Sequence, residues 1–468
     1  MIVLIVWDGL RPDMITAERT PFLHSAAGGG AFCEASHAAF PTATRINSAS
    51  LSTGCYPGRH GIVDNSLYVP AIDPSAAISC ADWRALQRMA DLEGGRLVTV
   101  PTLGETLRAC GRRMASAGSG SPGTTYLTNP TLTGPVVNWA LAWPASAEEE
   151  VARRCGAFLG PESTSMERTE FVLRAVTDYL LPVARPDLLT LWLTEPDHTQ
   201  HSDGLCAPAA LSTLLELDRR LEDLVAALDR LGEHTYLLLS DHGFSTIRER
   251  VTPDRALVEA GLKDSLRSTD VIRDGNSIYL NGDARDRLGD LVRTLADQPW
   301  IGGLFVRDDH LNACPGAMPQ TEVFGSHRRS AELMFAYRWS SEPNKHGVPG
   351  SVTGSSRNAA THGSASPYDI HNCLVAWGKG IARGITSAVP CGIVDVAPTA
   401  LHLMGIGAPD AMQGRVLHEL LEGGPPPETV TVRRETQEWD LPASSGTRRQ
   451  VARYSIVDGH RYLDQVSM

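Results

Sequence analysis

Three aspartates and three histidines stand beside short apolar runs in this chain. Ile2–Trp7 runs into Asp8, Leu188–Leu193 leads to Asp197 with His201 four residues on, and Tyr236–Leu239 leads to Asp241-His242. A fourth run, Cys373–Trp377, follows Thr361-His362-Gly363. Mixed Asp/His ligation suits zinc or another first-row metal. Two metals sharing these six groups would have three protein ligands each and keep open positions. A pair about 4 Å apart can clamp the attacking and leaving oxygens of a displacement at phosphorus. Taken singly, each residue has an ordinary structural explanation: an aspartate after a strand caps a helix, and Asp-x-x-x-His often makes only a local hydrogen bond. The joint pattern is far more specific than any member.

Such a centre needs a nucleophile. Phe40–Gly61 reads FPTATRINSASLSTGCYPGRHG. A hydroxyl at a helix N-terminus lies beside free backbone N–H groups, where an anion is favoured, and metal contact lowers its pKa further. Thr42, Thr44 and Ser48 all qualify by composition, and a simple helix cap would need no catalysis.

The elements that must position these groups follow from hydropathy. Continuous apolar runs of this length suit strands buried on both faces of a parallel sheet. Between them, Ala209–Leu231 carries Leu214, Leu217, Leu221, Leu224, Leu228 and Leu231 at helical spacing, closed by Gly232. Alternating strands and helices predict an α/β sandwich whose ligands sit beyond the carboxyl ends of the strands. Residues 1–250 and 361–424 read as the two parts of a catalytic core. Residues 251–360 read as an inserted cap lobe, with a helix over Asp283–Asp297 and strands at Ser277–Leu280 and Leu333–Tyr337. Residues 425–468 read as a tail with a hairpin turn at Asp458-Gly459. Gly118–Gly123 (GSGSPG) lacks periodicity and reads as a surface or substrate-facing loop.

Composition narrows the function classes. With 468 residues and 42% apolar residues the chain can build a large core and is not a disordered segment. The formal charge of -12 repels polyanions, which argues against a nucleic-acid polymer as partner. No apolar run reaches the roughly 20 residues that span a bilayer, so no membrane partner is expected. The nine cysteines form no C-x-x-C pair, and Met1–Trp7 lacks the basic region and cleavage site of a signal peptide. Both point to a cytoplasmic protein.

Several segments together resemble the type I phosphodiesterase/nucleotide pyrophosphatase branch of the alkaline phosphatase superfamily. They are VWDGLRPDMI, TPFLHSAAGGGAF, FPTATRINSASLSTGCYPGRHGIVDN, WLTEPDHTQH, LLLSDHGF, THGSASP, VDVAPTALHLMGI and MQGRVL, in the family's order over nearly the whole chain. The cap's RSAELMFAYRW is also similar to family cap sequence. The resemblance implies an alkaline-phosphatase-like three-layer α/β/α sandwich with a mostly parallel central sheet and an inserted α+β cap. It selects Thr44, nine residues before Thr53-Gly54, as the nucleophile, also in contact with metal. It gives Asp8, Asp241 and His242 to one metal, and Asp197, His201 and His362 to the other. Asn65 matches an amide that donates to a phosphoryl oxygen. The implied cofactors are two divalent cations, zinc favoured, with Mn²⁺ or another first-row metal as alternatives. The implied substrate is a small anionic phosphoester, with a nucleotide among the options, hydrolysed through a phospho-threonine. The sequence leaves the oligomeric state open.

Two features depart from a simple match. Cys55-Tyr56-Pro57-Gly58-Arg59 fits the C-x-P-x-R sulfatase signature, but it follows Thr53-Gly54 instead of preceding it, so no formylglycine is expected. Arg45 stands where nucleotide-cleaving relatives carry a base-stacking aromatic residue. Its fork of donors suits an additional anionic group. A phosphomonoesterase or phosphonoacetate-type hydrolase on the same site therefore competes with a diesterase, although only three lysines are present to bind a carboxylate. A catalytically silent metal-binding protein is the alternative from another class. His60 reads as structural, His198 as facing away from the ligands, and His371 as satisfied in the core; Lys345 and His346 belong to the cap loop.

Overall fold

Ile2–Trp7 is buried at every position and lies at the centre of a ten-stranded sheet in the computed structural model, which describes all 468 residues. Leu188–Leu193 pairs with it in parallel on one side and Thr235–Leu239 on the other. Met114–Gly118 and then Val136–Asn138 extend the parallel set, and Leu141–Trp143 closes that edge antiparallel. On the opposite flank His371–Gly378 runs antiparallel to both Thr235–Leu239 and Ala31–His37.

Alternation along the central strand divides the core into two layers. Val3, Ile5 and Trp7 face one apolar cluster, which includes Leu214, Leu217, Leu221, Leu224 and Leu228 of the helix Pro208–Asp229. Ile2, Leu4 and Val6 face the other, which includes Ile46 and Leu51 of the helix Thr44–Thr53 and Leu401 of the helix Val396–Leu403. Strands buried on both faces must be apolar throughout, which is why these runs show no polar alternation. The result is the three-layer, mostly parallel α/β/α sandwich.

The insertion builds its own core. Val271–Asp274, Ser277–Leu280, Leu333–Tyr337, Ile301–Val306 and Met318–Pro319 form a five-stranded sheet. The helix Leu288–Ala296 packs Leu288, Leu291, Val292 and Leu295 against it, preceded by a 3₁₀ segment Gly282–Arg287. At the C-terminus Val432–Ala443, Gly446–Val457 and His460–Ser467 form a three-stranded antiparallel sheet, with Asp458 and Gly459 at φ 50° and 83° in the final turn. That sheet bridges the other parts: Ala452, Tyr454, Leu463 and Val466 pack with Phe305 and Met334 of the insertion and with Phe40 of the core.

Gly118–Gly123 departs from expectation. It is not a surface loop: Gly118 through Gly120 are buried, and Pro122–Leu127 is already helical. Burial is tolerated because Asn138 Nδ2 donates to the carbonyls of Gly118 and Gly120, and Trp139 Nε1 donates to Gly120, so the backbone acceptors are satisfied.

Leu191 is fully buried in the strand beside the centre and carries no polar role. Leu191→Ala is expected to lower unfolding free energy by about 2–5 kcal/mol through the cavity it leaves, read by urea denaturation, with activity per folded molecule unchanged.

Candidate active site

The six side chains converge because every strand that feeds the site delivers its ligand to the same sheet edge. Asp8 follows Ile2–Trp7, and its backbone N–H donates to Leu193 O while its own carbonyl accepts from Asp197 N at 3.1 Å. Asp197 opens the short helix Asp197–Asp203, so His201 lies one turn on and on the same face. Asp241 and His242 follow Thr235–Leu239 after the single residue Ser240. His362 arrives by a different route. It precedes the antiparallel strand His371–Gly378, and the beginning of an antiparallel strand lies at the carboxyl edge of its parallel neighbours. Gly9 is required for this closeness: at φ +71° a Cβ there would meet the Phe244 ring at 3.0 Å and Asp197 Cα at 3.2 Å.

The distances describe one continuous cluster. His242 Nε2 lies 3.5 Å from Asp8 Oδ1 and 3.2 Å from Asp241 Oδ2. Asp197 Oδ1 lies 3.4 Å from His201 Nε2 and 3.5 Å from His362 Nε2. Ligand-capable atoms of Asp197, His201 and His362 fall within 4.8 Å of one another, as do those of Asp8, Asp197 and His242. The rings of His242 and His362 stack with centroids 3.6 Å apart.

A backbone carbonyl faces Nδ1 of each histidine. Nδ1 of His242 faces Gly243 O at 2.9 Å, that of His201 faces Ala360 O at 2.9 Å, and that of His362 faces Thr42 O at 2.7 Å. A carbonyl only accepts, so the proton of His242 and His362 sits on Nδ1 and the Nε2 lone pair points into the cluster, while Nδ1 of His201 also lies 3.0 Å from Asn358 Nδ2. Two of the carboxylates are anchored by one oxygen: Trp192 Nε1 donates to Asp8 Oδ2 at 3.0 Å, and Gly9 N donates to Asp241 Oδ1 at 3.1 Å.

The opposite oxygens, Asp8 Oδ1, Asp197 Oδ1 and Asp241 Oδ2, are buried with no hydrogen-bond partner. Burial, followed by the charges of Asp241 and Asp197, pushes the Asp8 carboxyl well above the usual carboxylate range. Burial also raises Asp197 and Asp241 and lowers His242 and His362. Three orphaned carboxylate oxygens facing unprotonated imidazole nitrogens are a donor set that fits divalent metal and little else.

Thr44 is the first residue of the helix Thr44–Thr53, is 5% exposed, and holds Oγ1 3.4 Å from His242 Nε2. The other two hydroxyl candidates point elsewhere. Thr42 Oγ1 donates to Ser364 O, and Ser48 Oγ donates to Thr124 O. Asn65 Oδ1 accepts from Arg45 N at 3.1 Å, which leaves its Nδ2 free to donate. Arg45 Nη2 donates to Ser121 Oγ at 3.3 Å, while its Nε is buried without a partner. Cys55 lies beyond the far end of the helix, about 15 Å away along its axis, with Sγ donating to Ala411 O and burial raising the thiol to about 11. It takes no part in the cluster.

Among the other histidines, His198 is exposed, and His60 is fully buried between Ser50 Oγ and Ile62 N. His371 is not hydrogen-bonded into the core; it stands against the ring of His37. Sequence reasoning missed Trp192, Phe244 and Asp64. Phe244 packs edge-on against His201 and His362. Asp64 accepts from Ser277 Oγ of the insertion at 2.6 Å, and burial raises its carboxyl to about 7. The apolar and turn residues carried no signal of these contacts, although Asp64 adjoins Asn65 in the HGIVDN segment.

Solved structures share this architecture. A variant of the alkaline phosphatase PafA superposes with a TM-score of 0.65 at 16% identity, over 90% of this chain and 98% of that one. Murine ectonucleotide pyrophosphatase/phosphodiesterase 5 does so with a TM-score of 0.62 at 17% identity, over 87% and 96%. The fold is therefore that of the alkaline phosphatases. The model of the type I phosphodiesterase/nucleotide pyrophosphatase family matches residues 2–300, and the chain belongs to that family. Venom phosphodiesterase 2 of Crotalus adamanteus is 24% identical over 372 residues, covering 70% of this chain and 39% of that protein. Human ectonucleotide pyrophosphatase/phosphodiesterase family member 1 is 25% identical over 244 residues, covering 51% and 22%. The chain thus spans well under half the length of these curated relatives.

Chelation is expected to destabilise the protein, because three buried carboxylates lose their counter-charge. If free cation stood at 100 times its Kd, the loss is about 2.7 kcal/mol, seen as a lower Tm by calorimetry and reversed by added zinc; an unchanged Tm would contradict the metal assignment. His60 predicts a pH dependence. Burial holds it neutral with a pKa of about 3, against an ordinary 6.5. The unfolded chain then binds the extra proton first, so stability falls as pH drops from 6.5 towards 3, by about 1.4 kcal/mol per unit. His60→Gln is expected to flatten that limb in denaturation curves taken across this range.

Proposed function

We propose that this protein is a two-metal hydrolase of phosphoric esters that works through a phospho-threonine at Thr44. The observation that carries the reading is Thr44 Oγ1 at a helix N-terminus, 3.4 Å from His242 Nε2 and beside three unpartnered carboxylates. Asp8, Asp241 and His242 would hold one cation, and Asp197, His201 and His362 the other. Bound there, the cations supply the positive charge that lowers the pKa of a nearby hydroxyl and neutralises charge on the phosphoryl and leaving oxygens.

The chain's own residues then divide the work. Thr44 Oγ1 loses its proton and forms the new bond to phosphorus as the bond to the leaving oxygen breaks. Water later cleaves the phospho-threonine, releasing phosphate or a phosphomonoester and restoring the hydroxyl. The unpaired N–H groups of the first helical turn favour the threonine in its anionic form. Asn65 is held by Arg45 N through its Oδ1, so its Nδ2 donates to a non-bridging phosphoryl oxygen. Anchored carbonyl partners keep the three imidazoles from rotating during the cycle.

A nucleotide substrate is supported by relatives named nucleotide pyrophosphatases and by an inactive variant of murine ectonucleotide pyrophosphatase/phosphodiesterase 5 in complex with AMP. Arg45 supports a second reading on the same site. Its guanidinium adjoins the nucleophile with one donor unused, so a substrate bearing a further negative group, such as a phosphomonoester or phosphonate, is accommodated. The phosphonoacetate-type variant lacks lysines for its carboxylate: Lys263 is tied to the Ser268 carbonyl, Lys379 to Glu233, and Lys345 lies exposed in the insertion. A silent metal-binding protein would not need a threonine poised in this way. Nine cysteines without a disulfide support a reducing, cytoplasmic location.

Thr44→Ala is expected to lower kcat by roughly 10⁴-fold or more while bound metal stays near the wild-type level. Arg45→Ala is expected to reduce kcat/KM for p-nitrophenyl phosphate by about 10–100-fold, the equivalent of one charged hydrogen bond, and to leave bis-p-nitrophenyl phosphate nearly unchanged. If metal-loaded protein turns over neither ester, the hydrolase reading fails.

A further inference from the structure

Outside the catalytic cluster the chain assembles another set of ligating groups. His37 ends the strand Ala31–His37, His371 begins His371–Gly378, and the two are directly paired across the antiparallel ladder, with ring centroids 4.7 Å apart. Asp464 comes from the C-terminal sheet, and its Oδ1 lies 2.9 Å from His37 Nε2. Ligand-capable atoms of the three residues lie within 4.8 Å of one another, the same closeness that defines the catalytic groups.

Three details make this more than a hydrogen-bonded pair. His37 Nδ1 faces Cys391 O at 2.8 Å, which places its proton there and turns the Nε2 lone pair towards Asp464 and His371. With Nδ1 already turned to Cys391 O, Nε2 can meet Asp464 Oδ1 either through a second ring proton or through a shared cation. Asp464 Oδ2 is occupied by Ser455 Oγ at 3.0 Å, which leaves Oδ1 to the cluster. The His371 ring stands against that of His37 and has no hydrogen-bond partner of its own. The backbone also bends to form the group: pairing passes from Arg453↔Gln465 to Tyr454↔Leu463, so Asp464 is the extra residue of a β-bulge that re-aims its side chain.

The geometry points to a structural site for a first-row divalent cation, zinc by its ligand chemistry, formed by His37, His371 and Asp464. His371 and Asp464 are partly exposed, so the cation has an entry path and a water can complete its shell. The site ties two strands of the core sheet to the last strand of the C-terminal sheet. Tyr462 on that same strand stacks on His37, so the cation adds a directional bond to an apolar seam.

The test counts metal. Protein stripped with chelator, reloaded with zinc and dialysed against metal-free buffer is analysed for zinc per chain by mass spectrometry. Asp464→Asn and His371→Ala are each expected to hold one zinc fewer than wild type, whatever number the catalytic cluster holds, and to keep Thr44-dependent hydrolysis where wild type shows it. Asp464→Asn retains an oxygen for a protonated His37. If the group is only an ion pair, this variant therefore keeps the wild-type zinc count, and that result overturns the site. Should both variants fail to fold, wild-type protein decides: zinc is expected to slow carbethoxylation of His371, mapped by peptide mass spectrometry, with chelator restoring it. Equal modification with and without zinc overturns the inference.

Discussion

The structure is organised around an electrostatic conflict: three carboxylates are taken out of water and set side by side. Each is desolvated, each repels the others, and each keeps one oxygen without a partner. Buried like charges of this kind are costly unless cations neutralise them. Much of the surrounding architecture holds that arrangement in place. Trp192 and Gly9 fix one oxygen of Asp8 and Asp241, and three backbone carbonyls orient the imidazoles. Thr44, at a helix N-terminus, holds its hydroxyl beside that cluster.

Sheet direction decides which residues meet. Five of the six candidate ligands, Asp8, Asp197, His201, Asp241 and His242, are delivered by parallel strands whose carboxyl ends share an edge, as in other open α/β sheets. His362 reaches that edge only because the next strand, His371–Gly378, runs the other way. The reversal also brings His371 opposite His37, where a parallel strand would have set a different register. One inverted strand thus completes the Asp/His cluster and sets His371 beside His37.

The strands were readable because burial on both faces leaves an unbroken apolar run, as in Leu188–Leu193. The helix Pro208–Asp229 was readable because its leucines repeat at helical spacing. The six ligands were readable because they stand at or near the boundaries of such runs. Strand direction was not, since apolar composition is the same either way. Trp192 was hidden for a related reason: an indole in an apolar run reads as core, and nothing in the sequence says that its N–H anchors Asp8. The buried GSGSPG segment was misjudged because its acceptors are satisfied by Asn138 and Trp139, residues beyond the loop.

The insertion bears on the chemistry through the residues next to the working ones. Asn276 Nδ2 donates to Gly363 O at 2.7 Å, one residue from His362, and Ser277 Oγ donates to Asp64, one residue from Asn65. A single turn of the insertion therefore grips both the loop of His362 and the loop of Asn65. Asn65 in turn binds the backbone N–H of Arg45. A shift of that turn would reach the nucleophile's neighbour through two hydrogen bonds and the peptide link between Asp64 and Asn65. The Asp/His cluster at the sheet edge is held by packing, whereas the neighbouring loops of His362 and Asn65 are held by polar contacts to an insertion with its own core. Changes in the insertion's sequence can then move the Asn65 loop while the cluster stays as it is.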